Sequence, residues 1–128
     1  IESAPMSTDA GIDLVAYSSS NPQPLTIQVK TNLKPKPGGG KGKYILDWWL
    51  PHECPAQLIA LVDMSMQRIW MLRTSELPEL AHQKSPSKFH IYMYTDPTAN
   101  PSKKDRLSHV HEFGRYLIEN CAHDLFGG

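Results

Sequence analysis

Two short runs of strand-forming residues, 11–17 and 25–31, flank a polar, proline-containing stretch at 18–24. β-Branched and aromatic residues bounded by turn formers are typical of strands. Prolines and small polar residues between such runs favour a turn or loop. The three segments together predict a β-hairpin, which restricts this chain to folds that are built on a sheet.

Alternation along the hairpin brings three polar side chains together. Successive side chains of a strand point to opposite faces, so Gln28 and Lys30 share the polar face of the second run, roughly 6–7 Å apart. Asp13 lies on the polar face of the first run. If the two apolar faces cover the same core, the three side chains converge. The alternative is an ordinary half-exposed sheet face, on which such residues have no chemical role.

The pattern of an Asp at the start of one strand and Gln-x-Lys on the next resembles the PD-(D/E)XK, or restriction-endonuclease-like, nuclease superfamily. Residues 11–13 and 27–31 carry the two motifs, with Gln28 where Asp or Glu is commoner. Residues 48–70, with their tandem tryptophans, are similar to a prokaryotic branch of domains with this nuclease-like core. The resemblance covers about the first three-fifths of the chain.

The resemblance implies a site for Mg²⁺ or Mn²⁺ that hydrolyses phosphodiester bonds of DNA. Asp13 would be the carboxylate ligand, Gln28 would offer its amide oxygen, and Val29 its backbone carbonyl. Lys30 would orient the attacking water. Magnesium prefers oxygen ligands, so loss of a carboxylate at position 28 should weaken cation binding. A further acid often comes from an upstream helix. Because the chain begins with Ile rather than Met, we expect that helix to be missing.

The charged residues give two opposite indications about nucleic-acid binding. Thirteen basic and thirteen acidic side chains give a formal net charge of zero, without the basic excess of many nucleic-acid-binding proteins. Residues 30–43, however, contain five lysines and no acid. We expect the glycine- and lysine-rich segment 34–43 to be a mobile loop. It is either a solvated hairpin tip or a basic arm for the phosphate backbone of DNA. The candidate DNA-binding residues are Lys34, Lys36, Lys41 and Lys43.

The rest of the chain predicts an α/β domain. Further strands are expected at 44–50, 57–63, 68–73 and 88–94, and a short helical turn after Thr74. The tandem tryptophans are expected to pack in the core. Ser102 begins a capping-box pattern, which predicts a long C-terminal helix towards Leu125. The apolar stripe of this helix, at helical spacing, is Leu107, Val110, Gly114, Leu117, Ile118, Cys121 and Leu125. We therefore predict one nuclease-like domain over 1–128, with a mixed central sheet of about six strands flanked by helices.

Other groups of residues suggest other kinds of functional site, and the signal for each is weaker than that for the hairpin residues. His109 and His111 could suggest zinc, but on a helix residues two apart diverge by about 200° and cannot chelate together. Asp63 follows an apolar strand and is expected to be a turn residue. Cys54 and Cys121 have no metal-ligand spacing, which favours a reducing compartment and a cytoplasmic location. No run of about 18 apolar residues is present, so no membrane span is expected.

Two hypotheses of function follow. The first is a metal-dependent endonuclease acting on DNA, with Asp13, Gln28 and Lys30 at the site. The second is a nuclease-like module, weakly active or inactive, that binds nucleic acid or protein; the neutral charge and Gln28 favour it. A homodimer is one assembly that either could form.

Overall fold

The residues that the structure describes form two β-sheets, one of five strands and one of four. A computed structural model describes residues 13–17, 24–38, 43–101 and 105–126, and the backbone alone of residues 2–5. In sheet order, the first sheet contains β1 (Glu2–Pro5), β2 (Leu14–Tyr17), β3 (Leu25–Asn32), β6 (Leu58–Asp63) and β7 (Arg68–Arg73). The second contains β4 (Lys36–Gly38), β5 (Lys43–Pro51), β9 (Lys88–Tyr94) and β8 (Gln83–Lys84).

The predicted hairpin forms, and its second strand lies inside the first sheet. β2 pairs antiparallel with β3, with Leu14 opposite Ile27. On its other side β3 pairs in parallel with β6, and β6 pairs antiparallel with β7. The first sheet is therefore mixed, as expected, and β3 is one of its inner strands.

The prediction of a single sheet of about six strands is wrong, because β5 pairs with β9 and not with the first sheet. The alternation in β5 explains the arrangement. Leu46, Trp48 and Leu50 are buried and face Ile59 and similar residues of the first sheet. The two sheets thus pack face to face across one apolar core, which alternation within single strands could not reveal.

Helical structure is limited to short segments. A 3-10 turn at Thr74–Glu76 leads into α1 (Leu77–Leu80), as expected, and a second 3-10 helix spans Val110–Tyr116 before α2 (Ile118–Phe126). The expected long C-terminal helix is therefore wrong. Leu117 has an extended backbone, with ψ of 138°, and forms a β-bridge to Trp70.

The interruption at Leu117 divides the predicted apolar stripe between two cores. Leu107, Val110 and Leu117 pack on the core between the sheets. Ile118, Cys121 and Leu125 pack on a second core, formed by α2 and the outer face of the first sheet. A helical period in the sequence identified the apolar positions correctly, but it could not show that they serve different cores.

The lysine-rich segment is more ordered than predicted. β4 pairs antiparallel with the start of β5, with Gly38 opposite Lys43. A Cβ on Gly38 would lie 2.6 Å from the side chain of Ile45, so the lack of a side chain permits this close pairing. Lys41 and its neighbours at 39–42 lie outside the described residues.

Candidate functional site

Asp13 is fixed against β3 just before β2 begins. Its backbone N–H donates to the carbonyl of Ile27 at 2.8 Å, and its Oδ2 accepts a hydrogen bond from the Val29 N–H at 2.7 Å. The described part of β2 pairs with β3 only as far as Ile27. At Val29, beyond the last paired residue of β3, the Asp13 carboxylate therefore accepts the hydrogen bond that a neighbouring strand would otherwise accept.

Gln28 directly precedes Val29, the residue whose N–H binds the Asp13 carboxylate. Extending the pairing of Leu14 with Ile27 by one step would bring Asp13 opposite Gln28, and opposite residues of an antiparallel pair share a face. Gln28 is 8% exposed, and its Oε1 accepts a hydrogen bond from the Cys54 thiol at 3.0 Å. A thiol is a weak donor, so the amide oxygen keeps acceptor capacity for a second partner.

Lys30 is the next residue on the same face of β3 and is partly exposed. Alternation places it roughly 6–7 Å from Gln28 along the strand. Within the described part of the chain, no hydrogen bond or ion pair engages its ammonium group. The side chain is therefore available to a bound ligand or water.

Val29 contributes backbone groups and an apolar side chain. In a strand the N–H and C=O of one residue point to the same side, so the Val29 carbonyl points to the edge on which Asp13 lies. Its side chain turns to the opposite face and packs on the second core. The arrangement offers a carboxylate, an amide oxygen and a carbonyl oxygen along one strand edge, which are the donors that a hard divalent cation prefers.

Asn32 continues the polar row on β3, and sequence analysis did not identify it. Its amide nitrogen donates to the carbonyl of Asp47 at 2.7 Å, and its Oδ1 accepts from the Asp47 N–H at 3.1 Å. The side chain thereby acts as a one-residue strand partner for β5. Alternation of polar residues at 28, 30 and 32 was the available signal. No local pattern could have identified Cys54, which is 26 positions from Gln28 in sequence.

Two of the candidate DNA-binding lysines form ion pairs within the protein. Lys36 Nζ lies 2.7 Å from Asp47 Oδ1, and Lys43 Nζ lies 2.8 Å from Asp96 Oδ2. Lys34 is exposed, and no ion pair engages it within the described ranges. The lysines therefore do not act as one free basic arm.

Asp47 also joins a histidine to this region. His90 Nε2 lies 2.8 Å from Asp47 Oδ2, and both side chains are about nine-tenths buried. Burial alone would raise the pKa of Asp47, but hydrogen bonds from Lys36 and His90 outweigh it and hold the pKa below its ordinary value. The carboxylate is thus ionised near neutral pH and anchors both partners.

The remaining candidates have structural partners. His109 Nε2 lies 2.7 Å from the carbonyl of Ala99, and its Nδ1 lies 2.7 Å from Glu112 Oε1. Both ring nitrogens are therefore occupied, which argues against zinc at His109 and His111. Asp63 is fully buried in the β6–β7 turn, so the expectation of a turn residue is confirmed.

The described segments lack a preformed cluster of metal ligands. They contain no group of three or more His, Cys, Asp or Glu side chains arranged to hold a metal ion. A cation beside Asp13 would therefore depend on a single described carboxylate. No helix among these residues is long and apolar enough to cross a membrane.

Comparison with known proteins finds similarity in structure but none in sequence. No protein-family model matches the chain, and no curated protein matches it. The structure is similar to that of a bacterial homing endonuclease, I-Ssp6803I, with a TM-score of 0.54 and 14% sequence identity. The match covers 98% of this chain and 79% of the other. At this identity the likeness concerns the fold alone.

Proposed function

We propose that this chain is a metal-dependent endonuclease that hydrolyses phosphodiester bonds of DNA, as a Gln variant of the PD-(D/E)XK superfamily. The hydrogen bond from Val29 N–H to Asp13 Oδ2 carries the proposal, because it fixes the carboxylate beside the Gln-x-Lys segment. The similarity in fold to a bacterial homing endonuclease adds support. We take residues 1–128 as one nuclease-like domain.

The donor set fits Mg²⁺ or Mn²⁺. Asp13, Gln28 and the carbonyl of Val29 would hold the ion, with water completing the coordination. When bound, such a cation polarises the phosphate and lowers the pKa of a coordinated water. Asp13 keeps Oδ1 outside its hydrogen bond to Val29, and Gln28 keeps acceptor capacity beside the Cys54 thiol.

Lys30 would act on the reacting groups through its charge. Its ammonium group can donate to a water beside the phosphate, which orients that water for attack in line with the leaving oxygen. The same positive charge stabilises the negative charge that develops on the phosphate oxygens. Because no described residue neutralises Lys30, its full charge is available for both roles.

A non-catalytic binding module is the second candidate, and the contact between Gln28 and Cys54 favours it. Gln28 is 8% exposed and its amide oxygen accepts from a thiol, so the residue is already part of a packed structure. Cleavage of supercoiled plasmid DNA by the purified chain, with Mg²⁺ or Mn²⁺ and with EDTA, separates the two candidates. We expect nicking with either metal and none with EDTA. Absence of cleavage on duplex and single-stranded DNA would favour the binding module.

Restoring the carboxylate at position 28 should strengthen metal binding. Gln28→Glu places a second negative charge beside Asp13, so we expect a larger increase in melting temperature on addition of MgCl₂ than in wild type. Gln57→Glu is the matched control, since it adds the same charge and retains the oxygen that accepts from the Thr26 N–H. Equal increases in both variants would argue against a cation between Asp13 and residue 28.

Lys34 should contribute to DNA affinity through its charge alone. Replacing it by Ala should reduce the slope of log affinity against log salt concentration by about 1, the value expected for one phosphate contact. Fluorescence anisotropy of a labelled duplex without divalent metal gives this slope. Arg73→Ala is the control, because it removes one exposed cation at the end of β7. An unchanged slope for Lys34→Ala would mean that Lys34 contacts no phosphate and that segment 34–43 is only a hairpin tip.

A further inference from the structure

Trp49 differs from the other two tryptophans in its surroundings. Trp48 and Trp70 are 3% and 0% exposed, whereas Trp49 is 45% exposed, so the expectation that both tandem tryptophans lie in the core is wrong for one of them. β5 turns Trp48 towards the core between the sheets and Trp49 to the outer face. An exposed indole of this extent leaves a large apolar surface in water.

The indole is held in place by a layer of buried groups. Trp49 stacks on His90 with ring centroids 4.0 Å apart and the planes 7° from parallel. His90 is fixed by Asp47 on one ring nitrogen and by Gln83 Oε1, 3.2 Å away, on the other. A fixed aromatic surface loses little conformational entropy when a flat ligand stacks on it.

A cleft of about 630 Å³ lies beside this indole on the outer face of the second sheet. Its lining includes two cations, Lys84 and Arg106, and one anion, Asp105, together with the hydroxyl of Ser85. The cleft thus combines a stacking surface, a net positive charge and several hydrogen-bonding groups. Its volume lies within the range of small-ligand sites.

We propose that this cleft binds one unstacked nucleobase of a DNA strand. The base stacks near the indole of Trp49, and Lys84 and Arg106 contact the adjoining phosphates. Every base has an aromatic face, so the site tolerates sequence and selects unpaired over paired bases. The identity of the ligand as DNA rests on the proposed function, whereas the site itself rests on the cleft and Trp49.

The cleft is linked to the candidate catalytic residues through contacts already described. Lys30 and Asn32 are neighbours on one face of β3, and Asn32 binds the backbone of Asp47. Asp47 and Trp49 are in turn neighbours on one face of β5. Each of these two steps along a strand spans roughly 6–7 Å. The two regions are therefore joined through β5, with Lys30 on the face of the first sheet that is turned towards β5 and Trp49 on the outer face of β5.

The test uses a DNA duplex that carries one bulged 2-aminopurine, with the fully paired duplex as reference and no divalent metal. We expect wild type to quench 2-aminopurine fluorescence and to bind the bulged duplex more tightly than the paired one. Trp49→Ala should weaken binding of the bulged duplex about 5- to 100-fold and remove the preference, as expected for loss of one stacked base. Trp49→Phe should retain the preference.

Controls separate this site from general effects on folding and charge. Tyr44→Ala removes another exposed aromatic residue of β5 outside the cleft and should leave both affinities unchanged. Lys84→Ala and Arg106→Ala should each weaken binding while quenching at saturation persists. Thermal unfolding of every variant checks that the fold is retained. Wild-type binding of free dAMP as tight as that of the bulged duplex would overturn the assignment to a DNA strand.

Two outcomes distinguish this proposal from the nuclease assignment. Equal affinities of wild type and Trp49→Ala for the bulged duplex would overturn the base site, even if Asp13-dependent cleavage is observed. Conversely, binding that depends on Trp49 in a protein that cleaves no DNA supports the base site and overturns the nuclease assignment.

Discussion

Asp13→Ala and Lys30→Ala should each reduce Mg²⁺-dependent DNA cleavage by at least about 10³-fold, the scale expected when an electrostatic contribution to the transition state is lost. In the proposed mechanism Asp13 would supply the carboxylate that binds the metal ion, and the ammonium group of Lys30 would stabilise the charge on the phosphate. The measurement is the initial rate of nicking of supercoiled plasmid at saturating Mg²⁺.

Both variants should remain folded, which makes the loss of rate interpretable. Asp13→Ala removes the hydrogen bond to Val29 N–H, worth about 1 kcal/mol in the free energy of unfolding, and Lys30 has no described partner to lose. Lys88→Ala, an exposed lysine on β9, is the matched control and should cleave at the wild-type rate. Equal nicking by wild type and by both site variants would place the activity elsewhere or in a contaminant.

The second large effect that we predict is a loss of stability when Asp63 is replaced. Its carboxylate is fully buried, accepts from the N–H and hydroxyl of Ser65 at 3.0 and 2.6 Å, and pairs with Arg68 at 3.0 Å. Asp63→Ala leaves these donors without their acceptor. We expect a loss of about 2–4 kcal/mol in the free energy of unfolding, measured by urea denaturation, with an unchanged m-value.

Asp124→Ala, an exposed acid of α2, is the control for Asp63 and should change stability by less than about 0.5 kcal/mol. The stability of Asp63→Asn should lie between those of Asp63→Ala and Asp124→Ala, because the Asn side chain retains an acceptor for Ser65 but loses the charge opposite Arg68. If Asp63→Asn keeps wild-type stability and loses cleavage, Asp63 acts in catalysis rather than in the turn.

Individual strands of this chain were predictable because their side chains alternate. The bounds of β7 and β9 match the predicted ranges 68–73 and 88–94. β4 was missed, since a lysine, a proline and a glycine show no alternation of apolar and polar side chains. The two-residue strand β8 gave no signal for the same reason.

The pairing of strands that are distant in sequence could not be predicted, because alternation within a strand does not identify the strands beside it. The hairpin was an exception, since its two strands are close in sequence, and its antiparallel pairing was predicted correctly. The partners that surround the polar residues of β3, Cys54 and the backbone of Asp47, depend on long-range packing. The assignment of Trp48 and Trp49 to one environment was not imposed by this limit, because alternation alone places adjacent residues of a strand on opposite faces.

The amide of Asn32 has a consequence for how this region can vary in sequence. It binds both backbone groups of Asp47 through a donor and an acceptor attached to one carbon, and among side chains that can do so the amides alone combine an NH₂ and a carbonyl oxygen. An Asp at this position would direct a carboxylate oxygen at a carbonyl oxygen, and a Gln would be one methylene too long. Position 32 should therefore tolerate fewer replacements than a partly exposed strand end usually does, and its side chain marks where the two sheets are joined.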